Sequence, residues 1–332
     1  MTNKPLTFTL SGTGAFLPER KVASRELDAL FAKEAGWTSG RFGIEERYWA
    51  SEAETSSHMA EQACRGAIAQ AGWDAGDIDA IIGACGVMEQ PIPSTAALVQ
   101  RRLGLGDSGI PAFDINATCL SFLVALERAV IGLAIGQWKR VLIFSSDIAS
   151  AALDYTDPEA SAIFGDGAAA CVVEAGSDHT LRGFKLETFA DGAEYCQLAA
   201  GGTRVTPHKD MERFWAGSRF AMDGPALSRF TARKFPEFLD RVLTHAAVTR
   251  DQVNTVIPHQ ASAHALGFLK RVLRAPGAKV FDRFAEYGNQ IAASVPHMLH
   301  HARMSGALNK GSTSLLIGSS AGVSLGGAVI QW

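Results

Sequence analysis

The stretch that decides the fold is residues 113–122, Phe113-Asp114-Ile115-Asn116-Ala117-Thr118-Cys119-Leu120-Ser121-Phe122. A short apolar strand, 111–115, runs into a tight polar turn, and a long apolar segment, 120–138, follows. Apolar residues on nearly every face of that segment predict a helix buried on all sides. Cys119 therefore lies at the start of a central helix, where the dipole is expected to lower its thiol pKa. We interpret Cys119 as a candidate nucleophile, against the alternative of an inert core cysteine.

The amino-acid composition limits which classes of protein the chain can belong to. The chain has 332 residues, 47% of them hydrophobic, and a formal net charge of −3, which fits two domains and argues against nucleic acid as the main ligand. The first residues carry no long apolar run, so we expect no secretory signal, and Glu127 and Arg128 interrupt segment 120–138, so we expect no membrane span. Five cysteines without CxxC spacing favour a reducing cytoplasm and no zinc site.

The order of predicted elements repeats in the second half of the chain. Phe113-Asp114 recurs as Phe281-Asp282, and Ile81 corresponds to Val256. The repeat predicts two similar α/β halves, 1–176 and 177–332, packed as a pseudo-dimer. The first half is expected to hold strand 7–12, a turn at 12–14, an irregular stretch 24–49, a helix from Thr55 to Gly72, strand 78–87, helix 95–103, strand 111–115, helix 120–138, strand 140–146 and strand 168–174. The second is expected to hold helix 227–248, strand 253–258, helix 263–273, strand 279–284, helix 291–308, strand 312–318 and strand 324–332.

Two second-half motifs can meet Cys119 across that pseudo-twofold. His259 ends a buried strand, and Asn289 lies in the turn that begins the helix corresponding to the one behind Cys119. Considered alone, His259 is most simply a hydrogen-bonded core histidine, and Asn289 is most simply a residue that stabilises the turn. Together, a cysteine nucleophile with histidine and asparagine donors aimed at a developing oxyanion or enolate makes a coherent acyl-transfer site.

Distinctive motifs are spread over nearly the whole chain. They are Asp114-Ile115-Asn116-Ala117-Thr118-Cys119, Pro258-His259-Gln260-Ala261, Gly288-Asn289 with Ala292-Ala293-Ser294-Val295-Pro296, Phe164-Gly165-Asp166-Gly167-Ala168, and Gly43-Ile44-Glu45-Glu46-Arg47 with Glu54-Thr55-Ser56-Ser57. Together they resemble the ketoacyl-acyl-carrier-protein synthase III family of the thiolase superfamily. The resemblance implies a five-layered α-β-α-β-α fold made of two duplicated halves, a homodimer, and a catalytic triad of Cys119, His259 and Asn289.

The resemblance also implies the reaction. Cys119 takes an acyl group from acyl-CoA, and a malonyl thioester on acyl carrier protein then loses CO₂ and condenses with it, with no metal or other cofactor. The oxyanion is expected to be held by backbone N–H groups of Cys119 and of the C-terminal loop at Ala321 and Gly322. That loop, 320–325, reads Ser-Ala-Gly-Val-Ser-Leu, which departs from the glycine-rich aromatic run of the family.

Substrate-binding positions match the family only in part. Trp37 and Arg41 resemble the pair that sandwiches the CoA adenine, and Ile92 resembles the residue that caps the partner subunit's acyl pocket. Three positions depart from the pattern and predict a specialised enzyme. Pro158 replaces an arginine that contacts the CoA phosphate, His264 replaces an arginine implicated in carrier-protein docking, and Ser262 replaces an asparagine.

Four other functions stay open at this point. A degradative thiolase needs a second cysteine in the C-terminal loop, which 318–322 lacks. A non-decarboxylative condensing enzyme of olefin biosynthesis needs a partner-subunit glutamate where Ile92 stands, and Glu89 is out of register. An acyltransferase could move the group from Cys119 to an alcohol or amine. An inactive partner subunit would usually lack part of the triad.

Three further groups of polar residues invite hypotheses. A histidine cluster on helix 291–308 is interpreted as a polar or interface face rather than a metal site. Exposed arginines are candidate cations for an acidic carrier protein, and one loop is a candidate for recognition of a carboxylated starter. These groups are, in order, His297, His300 and His301; Arg101, Arg102 and Arg271; and Arg204 with His208.

Overall fold

The computed structural model describes residues 6–332 as a mixed α/β protein. No helix in this part of the chain is both long and apolar enough to cross a bilayer. The strands are β1 Leu6–Phe16, β2 Arg20–Ala23, β3 Glu46–Trp49, β4 Ala80–Gly83, β5 Ala112–Asp114, β6 Arg140–Asp147, β7 Gly167–Thr188, β8 Cys196–Gln197, β9 Ala221–Met222, β10 Thr255–Pro258, β11 Lys279–Val280, β12 Thr313–Ser320 and β13 Ser324–Gln331. The helices are α1 Ser24–Leu30, α2 Trp37–Phe42, α3 Ser56–Ala71, α4 Thr95–Arg102, α5 Ser121–Ala134, α6 Pro158–Ser161, α7 Met211–Gly217, α8 Gly224–Ala246, α9 Ala263–Leu273, α10 Phe284–Tyr287 and α11 Ser294–Met304.

Strand order repeats between the two halves. The first half-sheet runs β5-β4-β6-β7-β1, and the second runs β11-β10-β12-β13-β7. In each, the first three strands are parallel and the last two pairings are antiparallel. β7 serves both half-sheets, because its first part pairs with β6 and its later part with β13. The change of partner falls between Glu174 and Thr180, and the division at 176/177 stays a prediction.

Side chains on the two faces of each half-sheet define the layers. Ile82 packs with α5 and α11 in one central cluster, whereas its neighbour Ile81 packs with α3 and α4 on the opposite face. In the second half, Ile257 joins the central cluster and Val256 packs with α8 and α9. This alternation is the period of a strand buried on both faces. The order α3/α4, half-sheet, α5/α11, half-sheet, α8/α9 confirms the predicted five-layered thiolase-like fold.

The predicted turn at 12–14 is wrong, because β1 continues through it to Phe16. Gly12 and Gly14 serve packing instead. A Cβ at Gly12 would lie 2.1 Å from the Ala67 carbonyl oxygen, and one at Gly14 would lie 2.1 Å from that of Ala63. The glycines let the backbone of α3 approach the strand closely.

Several predicted boundaries also change. The stretch 24–49 is not irregular but contains α1, α2 and β3, and β7 is far longer than the predicted 168–174. The central helix begins at Ser121, so Cys119 lies in the turn before it. The predicted helix 291–308 is a 3₁₀ turn over 291–293 followed by α11, and strand 279–284 is only β11 followed by α10.

Candidate active site

A constrained turn presents Cys119. Thr118, just before it, has a φ of 51° in the left-handed region that non-glycine residues rarely adopt. The Ser121 hydroxyl donates to the Thr118 carbonyl at 2.7 Å and accepts from the Ala117 N–H at 2.9 Å. These bonds hold the turn in place from the first residue of α5.

The backbone N–H groups of Cys119 and Ala321 act to lower the pKa of the Cys119 thiol. Ala321 comes from the β12–β13 turn, and its carbonyl accepts from the Thr118 hydroxyl at 3.5 Å. Burial nevertheless raises the pKa of the Cys119 thiol well above its ordinary value, and the nearby Cys196 and Asp147 raise it further. The predicted lowering by the helix start is therefore wrong, since desolvation outweighs the dipole. The free thiol stays protonated until a base or a bound thioester changes its surroundings.

His259 immediately follows β10, and its N–H donates to the Ile317 carbonyl at 2.9 Å. Its ring Nδ1 lies 2.7 Å from the Ser294 hydroxyl, which also lies 2.9 Å from the Ile291 carbonyl. Burial lowers the pKa of His259 to about 4, so the ring is neutral near pH 7. If the hydroxyl donates to Ile291, Nδ1 carries the ring proton; if it donates to Nδ1, Nε2 carries it. Ser294 can thus set the tautomer of His259.

Asn289 is held by both ends of its amide. The Oδ1 atom accepts from the Ile291 N–H at 2.9 Å, and Nδ2 donates to the Ala261 carbonyl at 3.3 Å. The Asn289 N–H donates to the Ile163 carbonyl at 2.8 Å, which ties the turn to the first half. An amide nitrogen has two hydrogens, so one Nδ2–H is committed to Ala261 and the other can be offered to a ligand.

The structure brings the two halves of the site together at two glycines. A Cβ at Gly318 would lie 2.6 Å from the His259 Cβ and 3.2 Å from Leu120, the residue after Cys119. A Cβ at Gly86 would lie 2.3 Å from the Ile291 side chain and 3.5 Å from the Thr118 carbonyl carbon. The segments that begin α5 and α11 therefore meet, as the pseudo-twofold requires.

The C-terminal loop contributes differently at its two predicted positions. The Ala321 N–H acts to lower the pKa of the Cys119 thiol, and its role as an oxyanion donor stays a prediction. Gly322 has a φ of 132°, and its peptide bond to Val323 is cis. That φ suits glycine alone, so Gly322 shapes the loop, and its role as an oxyanion donor stays a prediction.

Trp37 and Arg41 lie on α2, as a pair one helical turn apart. The Trp37 ring makes an edge contact with Phe42, and the Lys33 ammonium lies 5.2 Å from its centroid. Arg41 Nε donates to the Glu159 carboxylate at 3.0 Å, and both side chains are more than half exposed. The sequence did not reveal Glu159, whose carboxylate lies beside Arg41, the arginine that we expect to contact CoA.

The remaining substrate positions are on the surface. Ile92 is 85% exposed, and Arg204, His208 and His264 are also exposed. Their predicted roles are untested by this geometry. Two of the departures from the family have local structural roles. Ser262 caps α9 by accepting from the Ala265 N–H at 3.1 Å, and Pro158 is the first residue of α6.

The histidine cluster is not simply a polar face. His297 is only 2% exposed, and its ring stacks against those of Tyr287 and His301, with centroid distances of 4.9 Å and 5.1 Å. Its Nδ1 lies 2.8 Å from the Gln290 side-chain oxygen, and burial lowers its pKa to about 3. The prediction that the cluster forms a polar or interface face is wrong for His297, because this side chain is buried against Tyr287. Within residues 6–332, no group of three or more histidine, cysteine or acidic side chains is arranged to hold a metal ion.

Two residues near Cys119 were not found from sequence. Asp147, at the end of β6, is fully buried, and its carboxylate accepts N–H groups from both halves of the chain. Cys196, in β8, lies close enough to Cys119 to influence its thiol, and burial raises the pKa of Cys196 to about 11. A carboxylate at the end of an apolar strand was the available signal for Asp147; nothing local marked Cys196.

Comparison with known proteins supplies relatives over the whole length. The family models described as 3-oxoacyl-[acyl-carrier-protein (ACP)] synthase III and its C-terminal part match residues 113–194 and 243–332. A beta-ketoacyl-[acyl-carrier-protein] synthase III from a Nostoc species is 34% identical over 98% of each chain.

Solved structures agree with those relatives. The crystal structure of the 3-oxoacyl-[acyl-carrier-protein] synthase III of Aquifex aeolicus has a TM-score of 0.87 at 31% identity, covering 98% of this chain and all of that one. The priming β-ketosynthase of the R1128 polyketide pathway has the same TM-score at 26% identity, covering 100% and 98%. With the site geometry above, these matches lead to one conclusion: the chain belongs to the 3-oxoacyl-acyl-carrier-protein synthase III family of thiolase-fold condensing enzymes.

Proposed function

We propose that this chain loads an acyl group from acyl-CoA onto Cys119 and condenses it with a malonyl thioester on acyl carrier protein. The observation that carries the proposal is that the segments bearing the three predicted residues meet at Gly318 and Gly86. Burial lowers the pKa of His259 to about 4, so its ring is neutral near pH 7, and the amide of Asn289 is also neutral. Two neutral donors suit stabilisation of an enolate, and they require no strong base because loss of CO₂ supplies the carbanion.

The first step is transfer of the acyl group. The Cys119 sulfur attacks the thioester carbonyl while its proton passes to Nε2 of His259, in the tautomer whose Nδ1–H donates to Ser294. The oxyanion is stabilised by the N–H groups of Cys119 and Ala321, the two backbone groups that favour the thiolate form of Cys119. Collapse breaks the carbon–sulfur bond to CoA, and the departing thiolate takes the proton back from His259.

The second step is decarboxylation and condensation. For this step the neutral ring adopts its other tautomer, in which the Ser294 hydroxyl donates to Nδ1 and the ring proton is on Nε2. His259 Nε2–H and Asn289 Nδ2 then donate to the malonyl thioester carbonyl. The carbon–carbon bond to the carboxylate breaks, CO₂ departs, and the electron pair forms an enolate. The enolate attacks the acyl carbon, the bond to Cys119 breaks, and the released thiolate takes a proton from water. The product is a β-ketoacyl thioester, and no metal or redox cofactor takes part.

The non-decarboxylative alternative lacks its base. That reaction needs a carboxylate to deprotonate the second acyl chain, and Glu89 was the nearest candidate. The Glu89 carboxylate accepts the Ser57 N–H at the first turn of α3, while its own N–H donates to Thr95. A carboxylate committed to capping a helix is poorly placed to remove a proton from substrate.

A carrier protein is the proposed source of the malonyl group. Arg271 on α9 is exposed, and on the neighbouring α8 Arg229 and Arg233 line a surface depression beside Tyr195. A cationic face of this kind suits an acidic carrier helix. Arg102, in contrast, donates to Ser57 and lies 3.6 Å from Glu61, so it is engaged within the fold.

A homodimer and a cytoplasmic location complete the proposal. Ile92 and Met88 expose apolar surface on the loop that precedes α4, and β5 forms the outer edge of the first half-sheet. An open strand edge beside apolar side chains favours pairing with a second copy. All five cysteines are free, which suits a reducing compartment.

The test separates the two steps. Purified chain is given acyl-CoA, and acyl-Cys119 is measured by intact mass; malonyl-acyl-carrier-protein is then added, and CO₂ and the β-ketoacyl product are measured. Asn289→Ala is expected to load normally but to release CO₂ at least about 10-fold more slowly, since it removes only a second-step donor. Equal loss in both steps, or product without CO₂, would contradict the proposed roles.

A further inference from the structure

Within residues 6–332, Asp147 is the carboxylate whose hydrogen bonds join the two halves of the candidate active site directly. One oxygen, Oδ1, accepts the N–H groups of Gly86 and Val87, both at 2.8 Å. The other, Oδ2, accepts those of Ala292 at 3.0 Å and Ala293 at 3.2 Å. Gly86 and Val87 follow β4 of the first half, whereas Ala292 and Ala293 form the turn that starts α11 of the second. The side chain is fully buried.

The second pair of bonds fixes the segment that carries both condensation donors. Ile291, one residue before Ala292, donates its N–H to Oδ1 of Asn289, and Ser294, one residue after Ala293, contacts the ring of His259. A shift of the 291–294 turn would therefore move Asn289 and His259 together. The first pair of bonds anchors that turn to the loop whose Gly86 lies against Thr118.

The nucleophile turn has separate support. Ser121 bonds the Ala117 N–H and the Thr118 carbonyl, and none of these bonds passes through Asp147. Loss of the carboxylate should consequently loosen the condensation donors more than the nucleophile.

We infer that Asp147 is a positioning residue for the second half-reaction, a carboxylate clamp that holds the Asn289 and His259 donors in register with Cys119 across the two halves. The inference rests on the proposed two-step function. The clamp needs the ionised form, because four N–H donors require four lone pairs and a protonated oxygen would turn an O–H toward one of them. Protonation of Asp147 should therefore weaken the clamp, so the pH dependence of the second step tests its role.

Burial raises the pKa of Asp147 to about 7, against the opposing effect of its four backbone bonds. Other titratable groups lie on the elements packed around it. Burial raises the pKa of the Cys85 and Cys119 thiols far above the neutral range. Burial lowers the pKa of His259 to about 4 and of His297 to about 3. Burial also raises the pKa of Asp166, which directly precedes β7, and the Asp114 carboxylate on β5 accepts the Thr95 N–H at the start of α4.

The decisive variant is Asp147→Asn, which keeps the shape but turns an NH₂ group toward two N–H donors. The matched control is Asp79→Asn, because Asp79 accepts the Lys139 and Arg140 N–H groups at the opposite end of the same strands, β4 and β6. Three rates are measured from pH 6 to 8.5: loading of Cys119 from acyl-CoA, CO₂ release from malonyl-acyl-carrier-protein, and overall condensation.

The expected result is a split. Asp147→Asn should slow CO₂ release about 10- to 100-fold, as displacement of reacting groups by about an ångström does. Loading should slow by a smaller factor, because it uses His259 but not Asn289. Asp79→Asn should leave the ratio of the two rates unchanged. In the natural chain, CO₂ release should rise with pH through about 7, and that rise should be absent in Asp147→Asn.

Three outcomes would overturn the inference: equal slowing of both steps in Asp147→Asn, the same split in Asp79→Asn, or CO₂ release by the natural chain that does not change between pH 6 and 8. The last needs no variant and holds even if Asp147→Asn fails to fold. A natural chain that neither loads nor condenses would instead reject the proposed function, so the two failures are distinguishable.

Discussion

Removing the Ser294 hydroxyl tests how the histidine is controlled. Ser294 is fully buried, and its Oγ lies 2.7 Å from His259 Nδ1 and 2.9 Å from the Ile291 carbonyl. Ser294→Ala deletes a single oxygen and leaves Nδ1 of a buried, neutral ring without that partner. The tautomer with Nε2–H, which the second step requires, then loses the hydroxyl that favours it.

The size of the effect follows from that lost bond. Leaving a buried polar atom unsatisfied costs about 1–3 kcal/mol. If the full cost falls on the transition state, kcat for condensation drops by about 5- to 150-fold, at about 1.4 kcal/mol per factor of ten. The assay is steady-state CO₂ release at saturating acyl-CoA and malonyl-acyl-carrier-protein, together with thermal unfolding of each variant.

Ser314→Ala provides a matched control. Ser314 is also fully buried in the second half, and its Oγ accepts the Trp332 ring N–H at 2.7 Å, at the far end of β12. Both variants lose a hydroxyl–ring bond, so both should lose stability, but only Ser294→Ala should lose condensation. A Ser294→Ala enzyme with kcat within twofold of the natural chain, or an equal loss in Ser314→Ala, would refute the reasoning.

Three further predictions follow from the same geometry. Gly318→Ala should abolish most condensation, because its Cβ would lie 2.6 Å from that of His259. Gly326→Ala should keep substantial activity, because its Cβ would meet only the ends of two leucine side chains, Leu120 at 3.0 Å and Leu123 at 3.5 Å; equal rates would contradict this. Glu159→Gln should free Arg41 from an exposed ion pair worth at most about 1 kcal/mol and so lower KM for acyl-CoA by up to about 5-fold. KM for acyl-pantetheine, which lacks the nucleotide, should not change. The same decrease in KM for both substrates would count against this prediction. The pKa of His259 is lowered to about 4, so between pH 4 and 6.5 the unfolded chain binds a proton that the folded chain does not, and the free energy of unfolding rises with pH across that window. His259→Gln should remove about 3 kcal/mol of that total rise. An unchanged pH dependence of the unfolding free energy would reject the buried neutral ring.

Local sequence patterns predicted the elements that carry the chemistry. Cys119, His259 and Asn289 each end or begin an apolar segment, and the repeated order of segments placed them in corresponding halves. Strand pairing then follows from burial, since β4 and β10 are apolar on both faces. These properties depend on residues close together in the chain, which is why the sequence reveals them.

Contacts between distant segments were not predictable in the same way. Gly12 and Gly14 read as a turn because nothing nearby shows that α3 packs on them. Asp147 receives N–H groups from residues far along the chain, and the desolvation that raises the Cys119 pKa depends on layers contributed by both halves. The sequence shows that a helix follows Cys119, but it does not show how deeply the sulfur is buried.

The most direct test of the central claim is intact-protein mass spectrometry of the natural chain and Cys119→Ala with a panel of acyl-CoAs. We predict a mass increase equal to one acyl group on the natural chain, none on Cys119→Ala, and discharge of that adduct with one CO₂ when malonyl-acyl-carrier-protein is added. An acyl adduct that persists in Cys119→Ala, or one that discharges without CO₂, would contradict the account.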